Sequence, residues 1–157
     1  MKIIQGTPEG MGDVMNEANI NMFLEEKINL HLATVDENGE PNIQPIWFYH
    51  DKVYQKIFLS TSKDSKKIQN IRRRPGVYFS VDEDSFPYKC VKGKATATVL
   101  EDAAKNVPIV ERICLKYIGT LDDRFSKMLI DIAKNGGSVV LELTPRFYST
   151  WDFSKTQ

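Results

Sequence analysis

The pattern of apolar and polar positions predicts strands over most of this 157-residue chain. The clearest is a long strand from Tyr88 to Leu100, in which apolar or small residues alternate with Lys and Thr. Apolar runs bounded by turn residues predict six more strands, at residues 30–35, 42–49, 55–60, 77–81, 138–143 and 146–153. The first two of these form a predicted hairpin, because the intervening residues contain the turn pair Asn38-Gly39.

Apolar residues at helical spacing predict four helices, at residues 12–27, 62–74, 102–117 and 122–135. The second helix is expected to begin at an N-cap residue, either Ser62 or Asp64, and to stop before Pro75. The pair Gly136-Gly137 is expected to end the fourth helix.

The order and number of these elements predict a mainly β fold. Six or seven sequential strands with short connections are expected to pair in an antiparallel manner. Closure of the sheet would cover its edges, so we expect a six- to seven-stranded antiparallel barrel with helices packed outside. The length is typical of a single domain, which we expect to span residues 1–157.

Charge and cysteine content narrow the class of protein. The chain has 21 Lys and Arg residues and 21 Asp and Glu residues, which argues against a nucleic-acid coat or a polybasic membrane binder. Cys90 and Cys114 are isolated and lack a His at metal-ligand spacing. We therefore expect both to be reduced thiols in the core, and we expect no metal site. No apolar run is long enough for a membrane span or forms a leader, so a soluble cytoplasmic protein is expected.

Basic charge is nevertheless concentrated in one segment. Between Lys52 and Arg74 there are eight Lys and Arg residues and one acid, Asp64. Lys63, Lys66 and Lys67 lie in the predicted first turn of a helix, where the positive end of the helix dipole disfavours cations. The preceding strand ends in three hydroxyl residues, namely Ser60, Thr61 and Ser62. An anion, most simply a phosphate, would make this arrangement favourable; a solvated lysine-rich turn screened by salt is the alternative.

Side chains for acid–base or nucleophilic catalysis are scarce. The two histidines, His31 and His50, lie in or at the ends of strands, where a structural role is expected for each. The chain contains no nucleophile elbow, H-E-x-x-H sequence or Walker-type glycine loop. If the protein is an enzyme, a bound cofactor is expected to supply the chemistry.

Aromatic residues offer a second indication of a ligand. Trp47 follows Pro45-Ile46 at the end of a predicted strand, and Trp151 lies near the C-terminus. Core packing is the alternative for either tryptophan. Because Pro45 removes one ladder donor, its strand is expected to be interrupted or to lie at an edge. Free backbone groups at such an edge would suit a flat heterocycle with a polar rim, such as isoalloxazine.

Taken together, these segments resemble the pyridoxamine-phosphate oxidase-like, FMN-binding split-barrel family. The resemblance rests on the order and spacing of several short pieces rather than on any one of them. Those pieces are residues 32–41, 45–48, 59–61, 64–71, Arg74-Pro75, 93–95, 145–147 and 151–153.

The resemblance implies a split β-barrel homodimer with FMN bound in a groove between the subunits. The residues that match the family's phosphate contacts are Ser60, Thr61, Lys66 and Lys67, with Asn70 as a further candidate polar contact. The strand that runs beside the flavin ring matches Gln44, Pro45, Ile46 and Trp47, although some members carry an arginine where this chain has Gln44. Trp151 would come from the partner subunit or pack in the dimer interface.

The C-terminal tail departs from one branch of that family. The true pyridoxamine-phosphate oxidases end in a substrate-binding segment rich in Arg and His, which residues 152–157 lack, so oxidation of pyridoxamine phosphate is not expected. The predicted helices at 102–135 are a further departure from compact members and are expected to shape a substrate pocket or the dimer surface.

Three hypotheses follow for the function. The first is a flavin-dependent oxidoreductase that uses FMN, or alternatively deazaflavin F420, on a small molecule that the sequence does not specify. The second is a non-catalytic carrier or sensor for flavin, deazaflavin or haem. The third is a nucleic-acid-binding module that uses Lys63 to Arg74 as a basic helix, which the zero net charge disfavours.

Overall fold

The computed structural model describes residues 1–155, so Thr156 and Gln157 of the C-terminal tail lie outside the described residues. Within that range the chain forms nine strands and four helices. In chain order they are β1 (Ile3–Gln5), α1 (Glu17–Phe23), β2 (Leu30–Val35), β3 (Pro41–Ile46), β4 (Phe48–Asp51), β5 (Lys56–Ser62), α2 (Lys66–Arg73), β6 (Gly76–Asp82), β7 (Lys89–Leu100), α3 (Ala103–Tyr117), α4 (Arg124–Lys134), β8 (Ser138–Pro145) and β9 (Tyr148–Asp152).

All nine strands belong to one sheet that branches at β7. Seven strands form a path in the order β3-β2-β6-β7-β8-β5-β4, and every pairing along it is antiparallel. The twelve residues of β7 allow the branch, because residues 89–92 pair with β9 whereas residues 95–100 pair with β8. Strand β1 then pairs with β9 in parallel.

A single residue connects the two ends of the seven-strand path. Strand β3 ends at Ile46, strand β4 begins at Phe48, and only Trp47 lies between them. Because β3 is the first strand of the path and β4 the last, the sheet must curl until its two edges meet at Trp47. The two strands are not paired with each other, so the barrel has an open seam. The predicted antiparallel split barrel is therefore confirmed.

The number of strands is nine rather than the predicted six or seven. Strand β1 was not expected, because its three residues show no clear alternation and form a strand only by pairing with β9. The predicted strand at 42–49 is two strands, β3 and β4, because the chain turns from one sheet edge to the other at Trp47.

The first helix is shorter than the predicted 12–27. It begins after Asn16, whose side chain accepts a hydrogen bond from the Asn19 amide as an N-cap. The preceding residues bind β9 instead: Asp13 forms a bridge with Asp152, and the Met15 amide donates to the Thr150 hydroxyl. These contacts explain why apolar spacing over the first residues of that segment did not produce helix.

The main core fills the interior of the curled sheet. Its buried side chains come from alternating strand positions, such as Leu30 and Leu32 of β2, and from helices α1 and α2, which contribute Ile20 and Ile68. Each buried side chain of this size stabilises the fold by roughly 1.5–3 kcal/mol relative to exposure. A second, smaller cluster lies between α3 and α4 and consists of Val110, Cys114, Ile130 and Ala133.

Two further findings bear on the class of protein. Within residues 1–155, no helix is both long and apolar enough to cross a membrane. Cys90 and Cys114 are both free and buried, and burial raises the pKa of each thiol above its ordinary value.

The close approach of β7 to the chain before β9 requires glycine at one position. A Cβ atom at Gly93 would lie 2.2 Å from the Phe147 carbonyl oxygen, whereas a Cβ at Gly76, on the neighbouring strand, would meet nothing within 4 Å. We expect Gly93→Ala to lower the free energy of unfolding by about 1–3 kcal/mol, because the backbone must move to relieve the overlap. The control Gly76→Ala should change it by no more than about 0.5 kcal/mol. Equal effects of the two variants in urea unfolding would contradict this account.

Candidate functional site

The junction of β5 and α2 presents a helix N-terminus without a side-chain cap. Helix α2 begins at Lys66 with Ser65 as its N-cap, so the predicted caps, Ser62 and Asp64, were wrong. The reason is that β5 extends through Ser62 by pairing with β8. The Ser65 side chain makes no capping hydrogen bond, and the first turn contains no acidic residue. The positive end of the helix dipole therefore has no acidic side chain in the first turn, although Asp64 directly precedes the N-cap.

Lys67 is a buried cation beside this helix end. Its side chain is only 9% exposed, and its Nζ donates to the Thr61 hydroxyl at 2.8 Å. No carboxylate among residues 1–155 lies within ion-pair distance of this ammonium, and burial lowers the pKa of Lys67. An ammonium has three donors, and Thr61 accepts one of them. Because a buried charge is costly without a counter-charge, the surroundings of Lys67 are suited to an anion.

The neighbouring hydroxyls are organised around the same ammonium. The Thr61 hydroxyl accepts from Lys67 and donates to Ser65 Oγ at 3.3 Å, so one chain of polar groups connects the strand end to the N-cap. Ser60 precedes this chain on β5, and its side chain lines a separate cavity described below. The hydroxyls at the end of β5 therefore face two environments: Thr61 contacts Lys67 and Ser65, whereas Ser60 lines the cavity.

Lys66 has a different environment from Lys67. Its Nζ lies 2.5 Å from Glu37 Oε2, in the turn between β2 and β3, and Arg73 lies 3.5 Å from the same oxygen. The hydrogen bond from Lys66, with the nearby charges of Lys66 and Arg73, lowers the pKa of the Glu37 carboxyl. An anion at the helix end would share Lys66 with this carboxylate.

Most of the basic charge in this segment is neutralised by distant acids. Within residues 1–155, five of the eight Lys and Arg residues from Lys52 to Arg74 form ion pairs with carboxylates outside the segment. These pairs are Lys52–Glu25, Lys56–Glu142, Lys66–Glu37, Arg72–Glu101 and Arg73–Glu37. The number of basic residues in this segment therefore overstates the positive charge at the junction. Lys67 differs from the five paired residues because it is buried and has no carboxylate partner among the described residues.

A cavity of about 250 Å³ lies beside Trp47. It brings together three of the predicted site residues, Ile46, Trp47 and Ser60. The opposite wall comes from the two helices after β7 and consists of Val110, Ile113, Phe125 and Leu129. The helices α3 and α4 therefore cover this cavity, and their expected role in a substrate pocket or the dimer surface stays a prediction.

Helix α3 also fixes the orientation of the Trp47 ring. The ring stacks on Tyr117, with centroids 4.7 Å apart and planes 2° from parallel, and Phe125 meets it edge-on at 6.0 Å. The Tyr117 hydroxyl donates to the Ile28 carbonyl at 2.8 Å and accepts from the Phe48 amide at 3.3 Å. Sequence spacing did not indicate Tyr117 as a site residue, because its contact with Trp47 spans some 70 residues of chain.

The strand that carries Gln44, Pro45 and Ile46 is an edge strand, as Pro45 predicted. Strand β3 pairs only with β2 and stops one residue after Pro45, which lies opposite His31. Exposure alternates along it, so Gln44 and Ile46 are half-buried whereas Pro45 is exposed. The half-buried face of β3 thus continues from Ile46 into the cavity beside Trp47.

The two remaining predicted site residues, Asn70 and Trp151, lie away from the cavity beside Trp47. Asn70 is fully buried between α2 and β2, where its Nδ2 donates to Thr34 at 3.0 Å and its Oδ1 has no hydrogen-bond partner. Trp151 lies on β9, in the other branch of the sheet, and packs beside Gly6 with Lys92 over its ring. Neither residue lines the cavity beside Trp47.

The comparisons with known proteins agree with this architecture. The family model described as pyridoxamine 5'-phosphate oxidase matches residues 17–152. The chain belongs to the pyridoxamine 5'-phosphate oxidase family, as the sequence resemblance predicted. No curated protein shows significant similarity to the chain.

Three solved structures illustrate the range of similar proteins. Rv2991, a conserved hypothetical protein from Mycobacterium tuberculosis, has a TM-score of 0.78 and 26% identity over 90% of this chain and 88% of its own. An F420 reductase has a TM-score of 0.65 and 22% identity, covering 91% of this chain and 98% of its own. HutZ, the heme storage protein from Vibrio cholerae, has a TM-score of 0.63 and 22% identity, covering 83% of this chain and 89% of its own. The latter two share the fold.

The two histidines differ in their surroundings. His31 is partly exposed and lies 3.7 Å from Asp82. His50 is 6% exposed, neither ring nitrogen has a hydrogen-bond partner, and burial lowers its pKa to about 4. His50 is therefore neutral at pH 7.

Burial of neutral His50 should make stability depend on pH. An unfolded histidine has a pKa near 6.5, so between about pH 6.5 and 4 the unfolded chain binds the extra proton and folding weakens. We expect the His50 contribution, up to about 3 kcal/mol, to be present above pH 6.5 and lost as the pH falls to 4. Urea unfolding of the wild type and of His50→Gln from pH 7 to 4 would measure it. Parallel losses in the two proteins would contradict the prediction.

Proposed function

We propose that this protein binds FMN at the β5–α2 junction and acts as a flavin-dependent oxidoreductase on a small molecule. The observation that carries the proposal is the buried Lys67 ammonium, which has a hydroxyl partner but no carboxylate within ion-pair distance among residues 1–155. A phosphate monoester would supply the missing negative charge. Membership of the pyridoxamine 5'-phosphate oxidase family supports the same choice of ligand.

Each part of the proposed cofactor has candidate residues. Lys66, Lys67, Thr61 and the hydroxyl of Ser65 would hold the phosphate, while Asn70 supports α2 from beneath through Thr34. The flavin ring would lie along the half-buried face of β3 towards Trp47, with contacts from Gln44, Pro45, Ile46, Trp47 and Ser60. When bound, FMN supplies hydride transfer, and the protein positions the ring and excludes water.

The choice between FMN and deazaflavin F420 rests on the same phosphate cradle. Both carry a phosphate, a monoester in FMN and a diester in F420, so the presence of an anion site alone does not decide between them. An F420 reductase is among the proteins that share the fold, which keeps F420 as the alternative cofactor. Mass analysis of whatever co-purifies with the protein separates the two.

A second subunit would complete the cofactor site. The cavity beside Trp47, about 250 Å³, is smaller than the roughly 300–1,000 Å³ of typical small-molecule pockets. Strand β3 also exposes an apolar side chain, Ile43 at 67%, on its face opposite to Ile46. We therefore propose a homodimer that closes the groove over β3, with Trp151 contributed by the partner subunit or packed in the interface. The two free buried thiols suit a reducing compartment, and we propose the cytoplasm.

A non-catalytic carrier of flavin, deazaflavin or haem is the second candidate. Among the residues that line the cavity beside Trp47, Ser60 has the only hydroxyl and none is titratable, so the cavity itself offers no acid or base. A redox cofactor could react there without a protein acid or base. A ligand that is only stored would not need an acid or base either, so this feature fits both functions. The similarity in fold to a heme storage protein supports this alternative.

Replacement of Lys67 tests the phosphate assignment. We expect Lys67→Met to weaken FMN binding at least tenfold, because a charge-assisted hydrogen bond contributes about 1.5–3 kcal/mol. The variant should fold normally, since it removes a buried charge that has no counter-charge. Fluorescence titration of cofactor-free protein with FMN gives the affinity, and unfolding curves check the fold. The exposed Lys63→Met, on the same junction, is the matched control. Unchanged affinity in Lys67→Met, or an equal loss in Lys63→Met, would contradict the assignment.

Reduction of the bound flavin separates enzyme from carrier. We expect NADH or NADPH to bleach the flavin absorbance of the loaded protein, and an added electron acceptor to restore it over repeated cycles. The control is free FMN at the same concentration, which reports the reaction without the protein. If the loaded protein is reduced no faster than free FMN, the carrier function is favoured.

A further inference from the structure

A second and larger cavity, of about 550 Å³, lies between the end of α1, strand β4 and helix α3. It shares no lining residue with the cavity beside Trp47. Its size falls within the range of small-molecule pockets.

Lys116 places a partly buried ammonium in this cavity. Its Nζ donates to the Leu24 carbonyl at 2.8 Å and lies 3.5 Å from the centroid of the Phe48 ring. Burial lowers the pKa of Lys116 to about 8, an effect that the charge of Glu25 partly opposes. The group is therefore mostly protonated at pH 7. Among residues 1–155 no carboxylate lies within ion-pair distance of it, so its direct partners are a carbonyl and an aromatic face, and Glu25 acts on it only from a longer distance.

Arg112 adds a second cation on the same face of α3. It precedes Lys116 by four residues, and like charges at this spacing destabilise a helix. Its Nη1 donates to the Tyr49 hydroxyl at 3.0 Å, and its guanidinium lies 5.1 Å from the Tyr49 ring centroid. A guanidinium has five donors, so most of its hydrogen-bonding capacity remains. An anion shared by the two side chains would turn their repulsion into attraction.

His50 also lines the cavity and is left without hydrogen-bond partners. Both of its ring nitrogens are buried and unpartnered. Because burial keeps the imidazole neutral at pH 7, one nitrogen is a donor and the other an acceptor. Interaction with the Gln55 side chain raises the pKa of His50 against the larger effect of burial, but the single Gln55 oxygen could satisfy one nitrogen at most. At least one buried nitrogen therefore lacks a partner within the protein.

The remaining lining residues define the character of a ligand. Lys27 and Lys52 also line the cavity, and Glu25 and Asp51 are its acids; Lys52 is paired with Glu25 at 3.0 Å. Four cations against two carboxylates leave the cavity positive. Leu24, Val53 and Leu115 supply apolar surface beside these charges. This combination favours a small anion with an apolar body rather than an inorganic ion.

We propose that the cavity between α1, β4 and α3 binds a small organic carboxylate, with Arg112 and Lys116 holding the carboxylate group and His50 bonding a second polar group. The site is distinct from the proposed flavin site and does not depend on it. An aromatic acid with a hydroxyl on its far side combines the required groups in one small molecule.

The probe for this proposal is 4-hydroxybenzoate, with 4-hydroxybenzamide as its uncharged match. Calorimetric titration of the whole chain, with whatever cofactor it retains, should show saturable binding of the acid and at least tenfold weaker binding of the amide. Arg112→Met and Lys116→Met should each weaken the acid at least tenfold. Lys105→Met, an exposed change on the same helix, should leave binding unchanged. His50→Gln should reduce the preference for 4-hydroxybenzoate over benzoate.

Circular dichroism and unfolding curves establish that each variant is folded before its titration is interpreted. Absence of saturable binding to the wild type at millimolar concentration would overturn the proposal. Equal binding of acid and amide, or equal effects of Lys116→Met and Lys105→Met, would overturn it as well. A failure here leaves the Lys67→Met result on FMN unaffected, so the two sites are tested independently.

Discussion

The architecture depends on one covalent constraint, the single residue between β3 and β4. These strands occupy opposite ends of the seven-strand path, so Trp47 can join them only if the sheet curls into a barrel with an open seam. The same requirement brings Ile46 and Trp47 to Ser60 at the end of β5. Stacking on Tyr117 then keeps the ring in one orientation against α3. The cavity beside Trp47 therefore forms as a direct result of the curling of the sheet.

Local sequence signals predicted much of this arrangement. Pro45 correctly indicated an edge strand that stops early, Pro75 marked the end of α2, and the alternation of β7 identified the longest strand. The hydroxyls and lysines at the strand–helix junction drew attention to Lys67, which proved to be the buried cation. These signals are reliable because proline geometry and residue alternation act within a few residues of chain.

Contacts between distant segments could not be predicted in this way. Glu37 neutralises Lys66 across 29 residues, and Tyr117 orients Trp47 across some 70, although nothing in either segment indicates its partner. Strand β1 exists only because β9 pairs with it. The importance of Arg112 and Lys116 on α3 likewise arises only from the cavity that β4 and α1 form around them. Charge counted along a sequence is therefore a poor guide to charge that remains in the fold.

The prolines of β3 have a consequence for how two copies of this chain could meet. Proline is tolerated in a sheet where its nitrogen faces away from the neighbouring ladder, so Pro41 and Pro45 leave the outer side of this edge without two of its amide donors. Another β-strand would find too few donors there to extend the sheet, which protects the molecule against fibril-like stacking. Any association over this edge must rely on side-chain contacts, such as those of the exposed Ile43.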